Sequence, residues 1–245
     1  MSLSRGMLSV IMPAYNEEQC IYENLLSVCE YVSTFHPNYE ILLVNDGSTD
    51  HTFDEAMRAR KENFHIKVVT YHINRGKGGA IKEGIEKASG EYIAFLDADL
   101  DLSPVHLHQF LEALLDEDTD IVIGSKLHKD SRLNYPWNRK VMSYGYFVLL
   151  RILFRLKLKD TQTGVKLFRA EAIKPIAREL KTSGYAFDIE ILARANEIGC
   201  RILEMPVQLE YKRDTEHGTP RIRIGDICSM FIDTLKIFWD IKIRS

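Results

Sequence analysis

The sequence has no CxxC pair; its four cysteines, Cys20, Cys29, Cys200 and Cys228, are scattered. That spacing argues against a zinc ribbon or a disulfide framework and fits a reducing compartment. A long uninterrupted apolar run is also missing. The longest stretch, Val141 to Leu158, is broken by Arg151, Arg155 and Lys157. A bilayer span needs about 20 largely apolar residues, so no run reads as transmembrane. The opening MSLSRGM has no apolar signal-peptide core. Bulk positive charge is absent too: the net charge is -3, which gives no support to a nucleic-acid partner. Two phosphate-binding fingerprints, GxGxxG and GxxxxGK[ST], do not occur, which excludes the simplest dinucleotide and P-loop readings. There is no internal repeat and no low-complexity segment.

What remains is ordinary globular composition, 45% hydrophobic and 27% charged over 245 residues. That length suits one large α/β domain with a substantial core. Leu8 to Met12, ended by Pro13, reads as a buried strand, and Glu17 to Tyr31 has helical spacing with Asn16 as N-cap. Tyr39 to Val44, Ile66 to Tyr71, Glu91 to Leu96 and Asp120 to Gly124 read as further strands. Helices are expected between them: one up to about Lys61, one over Lys77 to Ala88, and one started by Pro104. The alternation predicts parallel βαβ units, whose ligands sit at the carboxyl ends of the strands.

After Ser125 the pattern changes. Trp137 to Leu158 reads as one or two basic, aromatic helices. Gly164 to Phe168 and Arg201 to Tyr211 read as strands, and Asp188 to Ile198 and Ile224 to Ile241 as helices.

Asp97-Ala98-Asp99 closes an apolar strand. If the extended geometry persists, both carboxylates project to one side and repel unless a cation lies between them. Mg²⁺ or Mn²⁺ is the natural partner, because a hard divalent ion also accepts diphosphate oxygens; Asp101 offers a third oxygen. The plain alternative is a solvated acidic turn. Context weighs against that alternative. Pro13-Ala14-Tyr15-Asn16-Glu17-Glu18 follows the first strand, Asn45-Asp46-Gly47-Ser48 the second, and Asn74-Arg75-Gly76-Lys77-Gly78-Gly79 the third. Any one of these loops alone reads as a turn; their order at one sheet edge reads as a site. Tyr15 can cover a base or ribose, Asp46 can accept from one, and Lys77 offers a cation near phosphates among close-approach glycines.

These motifs resemble those of family 2 inverting glycosyltransferases of the GT-A fold; Asp160-Thr161-Gln162-Thr163-Gly164-Val165-Lys166-Leu167-Phe168 and Ala186-Phe187-Asp188-Ile189-Glu190 carry a narrower likeness. More narrowly, the chain is similar to dolichyl- and polyprenyl-phosphate hexosyltransferases over nearly its whole length. The resemblance implies a GT-A, Rossmann-like α/β fold with a mostly parallel sheet and a UDP- or GDP-hexose donor. It implies nucleotide binding at Pro13, Tyr15, Glu17, Asp46 and Lys77, and metal and diphosphate binding at Asp97, Asp99 and Asp101. Thr163, Gly164, Phe187, Asp188 and Glu190 are implied around sugar and acceptor. Three positions depart from the pattern: Asn45 replaces a common aspartate, Lys126 a common arginine, and Gly218-Thr219-Pro220-Arg221 the usual Gly-x-Ser-Lys. Lysine at 126 keeps the charge but loses the bidentate fork.

A single domain is expected, with residues 7–125 binding the nucleotide sugar and 126–245 the acceptor. The departing nucleoside diphosphate leaves one face of the anomeric carbon and the acceptor attacks the other. A polyprenyl phosphate is already ionised near pH 7 and needs cations to position it, not a strong base. Lys126, Arg132, Arg213, Arg221 and Arg223 are the candidates. A saccharide hydroxyl would need a base, and Asp188 is the choice, although it also suits a helix N-cap. Arg132 to Lys159 mixes basic and aromatic residues, as does a helix lying on an anionic bilayer, or else a core helix with a solvated basic face. The expected location is peripheral, on the cytoplasmic face of a membrane. Competing readings are a family 2 enzyme of polysaccharide synthesis and a silent nucleotide-sugar-binding module.

Overall fold

The computed structural model describes residues 6–116, 118–131, 149–184, 186–208 and 224–243. The first half alternates as expected: β1 (Leu8–Ala14), α1 (Ile21–Phe35), β2 (Tyr39–Asp46), α2 (Thr52–Glu62), β3 (Ile66–Tyr71), α3 (Gly76–Lys87), β4 (Tyr92–Phe95), α4 (Val105–Asp116) and β5 (Ile121–Ser125). The second half adds β6 (Lys166–Arg169), α5 (Ala170–Glu179), α6 (Phe187–Glu197), β7 (Ile202–Pro206) and α7 (Ile224–Ile243). All seven strands form one sheet in the order β3-β2-β1-β4-β6-β5-β7. β3, β2, β1 and β4 run parallel, so their carboxyl ends share one edge. β6 alone is antiparallel to its neighbours, and it places Lys166 directly opposite Phe95 of β4.

Strand alternation divides the core between the two faces. Val10 and Met12 of β1 and Ile41 and Leu43 of β2 pack with α1, α2 and α4. Ile11, Leu42 and Val44 face the other way, toward α3, α5, α6 and α7. Every residue of β2 is buried, which is why its centre, Ile41 to Val44, is a continuous apolar run and not an alternating one. Phe110 of α4 is fully buried, and its truncation to alanine should cost about 3–5 kcal/mol. α3 comes very close to β1: a methyl at Gly84 would lie 2.5 Å from Ile11 Cγ2.

Several local expectations are corrected. Asn16 does not cap α1, which begins at Ile21 after Cys20. Asn16 instead has φ 56° and turns the chain sharply out of β1. The extended geometry of β4 does not persist through the acidic motif, because the strand ends at Phe95 and Leu100 N bonds back to Asp97 O at 3.1 Å. Asp188 lies inside the first turn of α6, whose cap position is Ala186. α5 has no counterpart among the expected helices, because Pro175 inside it masks its helical spacing. Of the basic, aromatic segment expected over Trp137 to Leu158, residues 149–154 are helical and those up to 148 lie outside the described residues.

Candidate active site

The loops after β1 and β2 are stitched together through main-chain amides. Asn16 N donates to Ser48 Oγ (3.0 Å), Thr49 N to Asn16 Oδ1 (2.9 Å) and Glu17 N to Thr52 Oγ1 (2.7 Å). The bonds hold Pro13, Tyr15 and Glu17 along one rim, with Tyr15 48% exposed and available to a ligand. Asp46, the last residue of β2, is buried, and its Oδ1 accepts from Tyr71 Oη and from Arg75 N, both at 2.8 Å. Both bonds fall on one oxygen, so among the described residues Oδ2 is left for a donor from outside. Burial and the bond to Asp46 together raise the Tyr71 phenol, so it stays a hydrogen-bond donor to Asp46.

The loop after β3 delivers Lys77 in the first turn of α3. Lys77 Nζ lies 2.5 Å from Asp97 Oδ1. Burial opposes the Lys77 charge, but Asp97, Asp188 and Asp99 outweigh it and hold its pKa above the ordinary lysine value. On the other side of Asp97 stands Gly164, where an added methyl would fall 2.2 Å from Asp97 Oδ2. Only glycine lets this loop approach the carboxylate so closely.

Asp97, Asp99 and Asp101 do not converge as a three-carboxylate cage. Among the described residues no three His, Cys, Asp or Glu side chains are grouped to hold an ion. The turn sends Asp101 N back to Asp99 Oδ1 at 3.1 Å instead. A preformed cage is not required here. Mg²⁺-type ions are typically held by one or two carboxylates plus substrate phosphates, and Asp97 and Asp99 fit that donor set.

A second ion pair completes the cluster. Lys166, 1% exposed, reaches from β6 to Asp188 Oδ1 at 2.7 Å and donates to Thr163 O at 2.5 Å. Burial raises the Asp188 carboxyl above its ordinary value, and Lys166 and Lys77 oppose that shift without cancelling it. In the sequence Lys166 stands only as one member of a motif. The signal that points to its role is a charge inside the short apolar strand Val165-Lys166-Leu167-Phe168, which must find a partner when buried. Thr163 Oγ1 and Ser125 Oγ are also buried, with no partner among the described residues. Asp160 shapes the loop that carries Thr163 and Gly164. Its Oδ2 accepts Lys126 N (2.9 Å) and its Oδ1 accepts Gln162 N (3.1 Å).

Two expected acceptor residues have other tasks. Glu190, 1% exposed, accepts the backbone amides of Lys181 and Thr182 and is bound by Arg194. Phe187 is a core residue whose Cβ would lie 2.7 Å from a methyl at Gly78. Arg132, Arg213, Arg221, Arg223 and the 218–221 loop lie outside the described residues.

Residues 9–177 match the family model described as Glycosyl transferase family 2. The chain belongs to glycosyl transferase family 2. Within this family it is 31% identical over 239 residues to glycosyltransferase AglD of Haloferax volcanii, covering 97% of this chain and 38% of that protein. It is 32% identical to a dolichyl-phosphate beta-glucosyltransferase of Saccharomyces cerevisiae, covering 82% of this chain and 66% of the relative. A dolichyl-phosphate beta-glucosyltransferase of Trichomonas vaginalis, ALG5A, is 31% identical, with 94% of this chain and 72% of the relative covered. The chain thus spans well under half of the archaeal relative and about two thirds of the yeast one. In fold, it is similar to glucosyl-3-phosphoglycerate synthase of Mycobacterium tuberculosis, solved with Mn²⁺, UDP and phosphoglyceric acid. The TM-score is 0.73 at 19% identity, with 97% of this chain and 78% of that chain covered. The family 2 assignment accounts for the strand-by-strand order of the motifs, and the structural likeness for the GT-A arrangement of the sheet.

Proposed function

We propose that this family 2 chain transfers a hexose, with inversion, from a nucleotide-diphosphate sugar to a polyprenyl phosphate. The observation that carries the reading is the pair of ion pairs at one sheet edge, Lys77–Asp97 and Lys166–Asp188, joined through the 163–164 loop. The names of the dolichyl-phosphate relatives support the acceptor class and make glucose the first hexose to test. The nucleoside lies along Pro13, Tyr15, Glu17 and Asp46, and Lys77 faces the diphosphate. Asp97 and Asp99 hold the divalent ion, with Asp101 behind them in the turn. When bound, Mg²⁺ or Mn²⁺ neutralises charge that builds up on the departing nucleoside diphosphate. Thr163, Gly164 and Asp188 border the sugar, and Lys166 keeps the Asp188 carboxylate fixed in place. Lys126, with Arg213, Arg221 and Arg223, holds the acceptor phosphate in line. Residues 7–125 thus bind the nucleotide end of the donor and 126–245 the acceptor, with Thr163, Gly164 and Asp188 of the second half reaching the sugar between them.

The acceptor reading brings a membrane surface with it. Among the described residues no helix is long and apolar enough to cross a membrane. α7 instead exposes Phe231, Ile232, Leu235 and Trp239, and Ile152 is 72% exposed between Arg151 and Arg155, also exposed. Apolar ridges beside basic residues suit a chain resting on the cytoplasmic face of an anionic bilayer. The test offers polyprenyl phosphate, free polyprenol and an oligosaccharide side by side, with UDP- and GDP-hexoses and with or without Mn²⁺. Product on the lipid phosphate alone is expected. Transfer only to the oligosaccharide would overturn the lipid acceptor and make Asp188 the general base.

A further inference from the structure

Residues 181–184 lie directly on the start of α3. Ser183 O accepts Gly78 N at 2.8 Å, and methyls at Gly76 and Gly78 would lie 2.7 and 2.9 Å from the same carbonyl. The segment therefore fixes the turn of helix that carries Lys77. Its own position is set from behind. Glu190 accepts the amides of Lys181 (3.1 Å) and Thr182 (2.8 Å), and Arg194 binds Glu190 at 2.9 Å. Arg194 also reaches Asp240 Oδ2 of α7 at 2.8 Å, and Lys181 Nζ closes the ring onto Asp240 Oδ1. The Arg194, Glu190 and Asp240 side chains are at most 17% exposed, so these charges are poorly screened. Desolvation, paired charges and three separate elements make this more than a surface ion pair.

We infer that Glu190, Arg194 and Asp240 are positioning residues of the donor site, acting through residues 181–184 on the Lys77 turn. The inference rests on the donor reading of Lys77 given above. None of the three touches the reacting groups. They hold the main chain against Gly76 and Gly78, and so decide where the Lys77 ammonium stands relative to Asp97. α7 is thereby part of the donor site although Asp240 reaches it only through Arg194 and Lys181.

The test is nucleotide titration of the full chain with Mn²⁺, well below its unfolding temperature, using UDP, GDP and their hexose conjugates. Asp240→Asn is expected to bind nucleotide roughly three- to tenfold more weakly, the range for changes that act through a packed network. Asp240→Glu should recover most of that loss. In a Lys77→Ala background, Asp240→Asn should add almost nothing, because both act on one contact. Hydrogen exchange at Gly78 should accelerate in Asp240→Asn. A wild-type chain that binds no nucleotide would overturn the donor reading and this inference with it. Wild-type binding with unchanged affinity in Asp240→Asn, or a loss fully additive with Lys77→Ala, would overturn the positioning role alone. A lowered unfolding temperature with unchanged affinity and unchanged Gly78 exchange would do the same.

Discussion

Lys77 Nζ stands 2.5 Å from Asp97 Oδ1, so the cation proposed to face the diphosphate neutralises, in the free chain, a carboxylate proposed to bind the metal. On that proposal, Lys77 and an incoming ion would compete for one oxygen until a diphosphate takes the ammonium. Metal and nucleotide should therefore bind synergistically. Titration calorimetry with Mn²⁺ should show weak binding alone and much tighter binding with UDP or GDP present. Lys77→Ala should weaken nucleotide binding but leave Mn²⁺ alone bound at least as well as in the wild type. Equal Mn²⁺ affinity with and without nucleotide would sink the exchange.

Gly164→Ala should separate activity from stability. Its methyl would fall 2.2 Å from Asp97 Oδ2, but that oxygen ends a side chain 34% exposed, which can swing away. The unfolding temperature should move by only a few degrees, roughly a 1 kcal/mol change. Metal-supported turnover should fall about 100-fold, as expected when a reacting group is misplaced by about 1 Å. Full turnover in Gly164→Ala would show that Asp97 is not held by this approach.

Lys166→Met leaves the Asp188 carboxylate buried without its cation. Breaking a buried pair from one side costs about 3–5 kcal/mol, read by denaturant unfolding. Lys166→Met combined with Asp188→Leu should regain much of that stability while transfer stays lost. If the double variant transfers sugar normally, the pair is structural only.

Asp46→Ala should weaken the free nucleoside diphosphate and the nucleotide sugar by the same factor. Asp46 Oδ1 is committed to Tyr71 and Arg75, which leaves Oδ2 for the nucleoside in the proposed donor arrangement. Isothermal titration with both ligands checks the ratio. A loss confined to the sugar-bearing ligand would mean that the donor lies the other way round.

Glu40 should carry an acid-dependent share of stability. Burial opposes its charge, yet hydrogen bonds from Lys67, Ser9 and the Ser89 amide outweigh burial and lower its pKa. A carboxyl held lower in the folded state stabilises the fold above its unfolded pKa of about 4.3, and that share is lost as pH falls through the folded value. Denaturation midpoints measured across that acid range should fall less steeply for Glu40→Gln than for the wild type. Identical slopes would remove Glu40 from the account.

Much of the donor half was legible in the chain itself. Asn45-Asp46-Gly47-Ser48 and Asn74-Arg75-Gly76-Lys77 follow apolar strands closely, and local turn chemistry is a short-range property. The acceptor half was less legible. Glu190 and Phe187 sit in a motif beside Asp188, and the family resemblance of that motif implies all three around the substrate. One helical turn sends neighbouring side chains in different directions, so Asp188 meets Lys166 while Glu190 faces Arg194 and Phe187 enters the core.

The sequence by itself determined the alternating strands and helices, and with them the carboxyl-edge loops. Hydrophobic period and turn residues act over a few positions, and parallel crossovers of one hand bring successive strand ends to one edge. It also determined which residue types stand there: Tyr15, Asp46, Lys77, Asp97 and Asp99. Only the tertiary structure decided the partners. β6 enters the sheet antiparallel between β4 and β5, and that insertion sets Lys166 opposite Phe95 and within reach of Asp188. α7 closes over α6 and brings Asp240 to Arg194 across 46 residues of chain. No local propensity encodes such pairings, because a buried charge takes whichever opposite charge the packing of distant elements leaves beside it.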